Sequence, residues 1–250
     1  FGFNIQVNDH WAYSIAGWVK NMDKLTSYRQ YQSGYTKYQV AVNGDFGRAM
    51  GIDFTLENRG LPVNMLLQYT YSSAKANAAY DQEAFGSVYV DAPLQEYTMP
   101  FDRPHDLTLT LYSNKLPFKI NAALTAMYIS GFPYTPLQIQ GDSDKLEYDY
   151  NRKYGLKSDP WKNVDLRLSK AFPMGEGALQ LGMSISNLFN FKNALNVYEL
   201  TGQPDEPGAY YMKEVDLMRD GGTKSGSYYD KPWYFGSPRE IDFFLQVNFD

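Results

Sequence analysis

Apolar and polar side chains alternate with a period of two in run after run of this chain, and that pattern constrains its fold more than anything else in it. Leu179, Leu181, Met183 and Ile185 are interleaved with Gln180, Gly182, Ser184 and Ser186. Val164, Leu166 and Leu168 alternate with Asp165, Arg167 and Ser169, and Leu107, Leu109 and Leu111 with Thr108, Thr110 and Tyr112. Ile52, Phe54 and Leu56 oppose Asp53, Thr55 and Glu57. Near the end, Ile241, Phe243, Leu245, Val247 and Phe249 oppose Asp242, Gln246 and Asn248, with Phe244 the exception. Side chains of a β-strand point alternately to its two faces, so each run predicts a strand with one apolar face. With the weaker runs the reading is about nine strands, at 1–7, 11–22, 46–58, 63–75, 103–113, 118–130, 161–172, 178–189 and 239–249. Most are long for globular strands and match the roughly 9–11 residues of a tilted membrane-crossing strand.

The connections narrow the fold further. Asn8-Asp9-His10, Asn58 to Leu61, Asn114 to Pro117 and Pro173 to Gly177 are short turns. Between them lie long segments at 23–45, 76–102, 131–160 and 190–238, rich in Gly, Pro, Asp, Ser and Tyr and read as loops without structure of their own. Loops of that length are uncommon in compact soluble domains. Strict alternation of short and long connections puts every short turn at one end of an antiparallel sheet and every long loop at the other. That asymmetry marks outer-membrane β-barrels. The expected fold is therefore all-β, an antiparallel transmembrane β-barrel. Two residues strain the pattern: Lys170 falls on an apolar face near the turns, where its stem can snorkel, and Asn187 falls on one near the loops, where a β-bulge would reset the alternation.

Composition agrees without deciding. The chain is 16% aromatic, with 22 Tyr, yet its mean hydropathy is −0.48. A barrel exposes apolar residues at every second position only, so its average stays polar. No apolar stretch approaches the roughly 20 residues of a membrane helix. A net charge of −5 argues against nucleic-acid binding, and the absence of cysteine excludes disulfides and thiolate sites. The N-terminus alternates from Phe1 onward with no leader-like segment, so the chain is read as a fragment, residues 1–250 forming the C-terminal portion of one barrel. Parity supports this. If the short turns are periplasmic, the first and last of nine strands run the same way and cannot close antiparallel, and single-chain bacterial barrels have even strand numbers. An isolated piece would also leave unpaired sheet edges in lipid.

Several short stretches resemble the TonB-dependent outer-membrane receptors. Pro100 to Leu111 (PFDRPHDLTLTL) resembles a strand opening of that family, and Ile129 to Pro136 (ISGFPYTP) its exit into an outer loop. Trp161 to Phe172 (WKNVDLRLSKAF) and Ile185 to Asn190 (ISNLFN) resemble the penultimate hairpin, and Gly47 to Leu56 (GRAMGIDFTL) an earlier descending strand. The resemblance implies a 22-stranded barrel with an N-terminal plug, of which this chain would supply the last nine strands. It implies a location in the cell outer membrane and energy-coupled import of a bulky scarce ligand such as a siderophore, metal chelate, glycan or peptide. The implied partners are outer-membrane lipid, the rest of the barrel and its plug, the TonB complex contacted through a region absent here, and the outer-membrane assembly machinery. The final strand, ending in Phe249 with Asp250 after it, resembles the aromatic-terminated assembly signal of such barrels.

Candidate chemistry is sparse. His105 lies between Asp102 and Asp106, which suggests a base and its orienting group, against the plainer reading of a polar strand end. His10 sits in a turn. Asp142, Asp144, Glu147 and Asp149 form an acidic loop cluster without EF-hand spacing, and Gly221 to Ser225 lacks the P-loop pattern. No catalytic, metal or cofactor residue is assigned, and no enzyme is expected. The last long loop carries Tyr210, Tyr211, Tyr228, Tyr229, Trp233, Tyr234 and Phe235. Of these Tyr210, Tyr211, Tyr228, Tyr229 and Trp233 are the candidate ligand contacts, since aromatic faces at a barrel mouth stack on sugars or aromatic chelators; packing of loop on loop, or a girdle at the membrane boundary, is the alternative. Competing with import are a structural, adhesive or passive-pore barrel, a barrel-borne hydrolase, and a soluble lectin-like β protein.

Overall fold

The computed structural model describes residues 1–77, 96–140, 145–175, 177–218 and 229–249; of residues 27–30, 140, 214–218 and 248–249 it describes the backbone only. Nine strands form one sheet in chain order: β1 (Gly2–Gln6), β2 (Trp11–Ser33), β3 (Thr36–Asn58), β4 (Asn64–Ala76), β5 (His105–Ser113), β6 (Ile120–Ile129), β7 (Trp161–Met174), β8 (Gly177–Ser186) and β9 (Glu240–Phe249). Every neighbouring pair is antiparallel. A short stretch, Tyr97–Thr98, continues the β4 edge beyond β5. The sheet is open: β1 and β9 do not pair with each other. Among the described residues no helix is long and apolar enough to cross a membrane, which says nothing about a barrel.

Register sorts the side chains into two faces. The row Ile15, Phe54, Tyr69, Leu107 and Tyr128 runs across five strands in direct pairing, and the row Leu56, Leu67, Leu109, Ala126 and Val164 lies beside it. Farther along, Leu179, Leu181, Met183 and Ile185 oppose Val247, Leu245, Phe243 and Ile241. The other face presents Ser14, Thr55, Gln68, Thr108, Met127 and Asn163, again in one row, with Thr110, Thr125 and Asp165 paired in the next. Nothing in the described structure covers the apolar face. Ile241, Phe243 and Leu245 are 50%, 79% and 65% exposed, and the buried apolar side chains (Ala76, Met99, Ala194, Val197, Tyr198, Tyr229) all lie at the loop end. A soluble sandwich would bury these rows against a second sheet. A face this apolar and this open is fitted to lipid, so we call it outward and the polar face inward.

Phe244, the exception to the alternation of β9, stands on the inward face directly opposite Gly182. Its ring overlies that glycine, and the Arg167 guanidinium lies 4.6 Å from the ring centroid. Trp18 covers Gly51 in the same way. Lys170 pairs across strands with Leu181 and Ile120 on the outward face, its Nζ 5.1 Å from the Phe172 ring centroid.

Three expectations need correction. Residues 23–45 are a hairpin and not a loop: β2 and β3 continue paired to Ser33 and Thr36 and close over Gly34-Tyr35, with Gly34 at φ +62. Glycine first in a two-residue turn suits the twist of the hairpin, and Tyr31, Tyr38, Val40 and Val42 favour extended backbone. The other long segments contain elements of their own, including an α-helix, α1 (Ala209–Met218), and paired stretches within 131–160. Asn187 ends β8 instead of making a bulge. At φ +51 it turns the chain out of the sheet, and its amide satisfies the Phe191 N–H and the Phe191 and Ser237 carbonyls.

Candidate functional site

The long-loop end gathers the loops after β6 and β8 into one packed layer. In the first, Pro133–Tyr134 pairs with Leu156–Lys157 and Leu137–Gln140 with Lys145–Tyr148, followed by a 3-10 turn at Tyr150–Arg152. Asp149 caps that turn by accepting from Asn151 N–H and is held by Arg152 Nε at 2.6 Å, which keeps its carboxyl below the usual carboxylate range. The loops join where Leu137 N–H donates to the Glu199 carbonyl and where Tyr134 lies over Gly202, whose φ of +75 and missing Cβ allow the close approach.

Tyr198 is the hub, with 1% of its surface exposed. Its hydroxyl donates to the Tyr229 carbonyl at 2.6 Å, and its ring packs against Tyr211 and Tyr234 at 5.4 and 5.3 Å. Lys231 Nζ stands 4.4 Å from the Tyr198 ring centroid and 4.6 Å from that of Tyr234, and donates to the Tyr234 hydroxyl at 3.1 Å. Burial works against the Lys231 charge, but the Tyr234 hydrogen bond and the surrounding tyrosines outweigh it, so its pKa is raised. Burial raises the Tyr198 hydroxyl in spite of Lys231, and raises Tyr134 and Tyr148, both with added repulsion from Glu199.

The aromatics predicted to meet a ligand divide by environment. Tyr229 is buried, its hydroxyl donating to the Met212 carbonyl, and Tyr210 and Tyr211 on α1 are half-buried. Trp233 is 68% exposed beside Tyr234, while Phe235 bridges to Ala194. Tyr228 lies outside the described residues. Tyr148 and Tyr150 also present exposed rings, 6.2 Å apart; the reading of that segment as an acidic cluster passed over them. The layer thus offers exposed aromatic faces held from below by interlocked tyrosines, an arrangement suited to stacking on planar or saccharide ligands.

The remaining candidates separate. Tyr69 Oη lies 2.9 Å from His105 Nδ1, with Tyr71 beside the ring. Asp102 is buried, accepting from Ala74 N–H and facing Lys157 Nζ at 3.5 Å, and Asp106 is on the opposite face, so neither orients the imidazole. His10 packs its Nδ1 against the Arg59 carbonyl in the turn. Glu147 is exposed, Asp149 is engaged with Arg152, and Asp142, Asp144 and the 221–225 segment lie outside the described residues. Among the described residues no cluster of His, Asp and Glu suits a metal ion. The Phe249 backbone pairs with Gly177, while its side chain and Asp250 lie outside the description.

No protein-family model matches the chain, and no curated protein matches it. Among solved structures, the crystal structure of the outer membrane transporter YddB from Escherichia coli matches at a TM-score of 0.62 and 12% identity, over 99% of this chain and 31% of that one. The chain thus spans about a third of the length of that transporter and has the fold of a segment of an outer-membrane transporter barrel.

Proposed function

We propose that the chain is the C-terminal part of the barrel of a TonB-dependent outer-membrane transporter, of about 22 strands, that imports a bulky scarce ligand through a plugged lumen. The observation that carries this reading is the two-faced antiparallel sheet with tight turns at one end and folded, aromatic-bearing loops at the other. Both edges of that sheet need further strands in lipid, since unpaired backbone there is prohibitively costly. Trp233, Tyr210 and Tyr211 contact the ligand at the mouth. The TonB complex acts through a region outside this chain, and the assembly machinery reads the last strand.

Fractionation tests the location: the intact parent should pellet with outer membranes and require detergent for extraction, and a freely soluble parent would refute it. Uptake by cells with and without the parent gene, screened over ferric siderophores, oligosaccharides and peptides, tests the transport. Uptake should need the parent and stop with a protonophore. Uptake indifferent to the protonophore would select the passive-pore alternative, and no uptake with intact surface display a structural or adhesive role.

A further inference from the structure

The charges of the sheet are segregated by face. Between the short turns and the Met22–Gly47 pair, the outward face carries Arg48, Lys75, His105, Lys162 and Lys170 and no carboxylate. The inward face carries Asp53, Glu57, Asp106, Asp165, Glu240 and Asp242, with Lys20 and Arg167 the bases among them. An outward face in lipid is expected to shed charge of either sign. Retaining bases alone matches an anionic surface around it.

The sharpest case is Arg48 with Lys75. They are direct cross-strand partners on β3 and β4, both exposed, one outward step beyond Met50 and Ser73 toward the long loops. Like charges directly opposite each other on one face are unfavourable. The ion pairs among the described residues (Arg59–Glu57, Arg152–Asp149, Lys157–Asp102) leave both without a carboxylate, and Asp23 in the neighbouring bulge joins neither. Asn21, the other cross-strand partner of Arg48, accepts from Arg48 Nε at 3.3 Å and steadies the guanidinium at the rim. A planar fork beside a point charge is the chemistry that takes phosphate oxygens. The pair also stands where the apolar band ends, so the phosphate is one carried by lipid.

We propose that Arg48 and Lys75 clamp the phosphate of an anionic glycolipid headgroup in the outer leaflet, a site that rests on the outer-membrane reading above. The bound anion removes the repulsion between the two bases and fixes the height of β3 and β4 against the headgroups.

The test uses the full-length parent purified in a zwitterionic detergent and titrated with bisphosphorylated lipid A, with native mass spectrometry as readout. R48Q/K75Q should weaken binding roughly thirtyfold, from two lost basic contacts to an anionic surface. K20Q/K115Q, which removes two charges from the inward face and a short turn, should bind as wild type. Arg48→Glu places a carboxylate opposite Lys75; it should keep the heat-resistant folded band on gels and lose the lipid. Equal binding by wild type and R48Q/K75Q, or retention of lipid by folded R48E, overturns the proposal. So does equal binding of dephosphorylated lipid A. Displacement of lipid A by millimolar inorganic phosphate would make this a free-anion site and overturn the lipid source. A parent absent from outer membranes removes both readings; a parent present there with unaltered binding in R48Q/K75Q removes this one alone.

Discussion

Gly182 is a position where adding a single methyl group should be costly. An added Cβ there would lie 2.1 Å from Phe244 Cζ and 2.5 Å from its Cε1, so the ring must leave its place. Tilting it off its rotamer costs about 0.5–1.5 kcal/mol. Breaking its contact with the Arg167 guanidinium, 4.6 Å from the centroid, costs roughly 0.5–1 kcal/mol more. Because the ring edge is the mobile end of a side chain, relief is partial, and Gly182→Ala should destabilise by about 1–2 kcal/mol. Gly17 provides the contrast: its φ is not positive, and an added Cβ meets nothing within 4 Å. Gly17→Ala should therefore stabilise by about 0.4–1 kcal/mol through the unfolded chain. Equilibrium urea unfolding of the full-length parent in phosphatidylcholine vesicles, followed by tryptophan fluorescence, measures both. In a Phe244→Ala background the cost at Gly182 should vanish, a coupling of about 1–2 kcal/mol. The same sign for both glycine variants, or an undiminished cost without Phe244, would refute the packing argument.

Facing is tested by Leu166→Arg, which buries a charge in lipid between Leu124 and Ile185 and should cost about 2–4 kcal/mol, while Gln180→Ala loses one bond to Ser169 Oγ and should be mild; vesicle folding yields in the reverse order would shift the register by one residue. Asn187→Ala loses the amide bonds to Phe191 and Ser237 and adopts a positive φ poorly, so about 2–3 kcal/mol should go and limited proteolysis should nick the following loop sooner; an unchanged cleavage rate would count against it. Lys231 and Tyr198 both have raised pKa values, so their contribution is complete below the unfolded values of 10.5 and 10.0 and is lost as pH rises through the higher folded ones; near-ultraviolet circular dichroism should show the tyrosine layer loosening only on the alkaline side, and loosening below neutrality would contradict this. Phe249→Ala should slow assembly of the parent far more than Phe235→Ala, and equal surface levels would remove the assembly-signal role.

The strands were legible because lipid imposes a local rule: a residue's face depends on its parity, and parity is written in the chain. Leu166 and Leu181 could be assigned without knowing what lay beside them. Phe244 could not, because its placement depends on Gly182 being its partner, and pairing is a tertiary fact. Residues 23–45 were misread for a related reason. Outside the bilayer no face needs to be apolar, so Thr26, Ser33, Thr36 and Gln39 alternate with nothing and yet pair across the hairpin. The loop layer was the least legible. Tyrosine-rich sequence gave warning of ring contacts, but which tyrosine is the hub depends on Tyr229, Lys231 and Tyr234 arriving from distant positions, and Tyr148 was hidden among acidic neighbours.

The β2–β3 hairpin beyond the Met22–Gly47 pair has no third strand among the described residues. At roughly 3.3 Å per residue, its eleven or so steps to Ser33 reach about 35 Å past the sheet. Two-stranded ribbons are marginal in water when alone, so this one takes its order from the strands beneath it. Amide exchange should accordingly be graded, fastest beside Gly34-Tyr35 and slowing toward the base, with a step at the register shift near Lys24, where the pairing is interrupted and φ is +57. Below that step the hydrogen bonds open only with the whole sheet. Above it they open singly, from the tip, so the outermost part of the molecule can fray and re-form while the lipid-facing sheet stays shut.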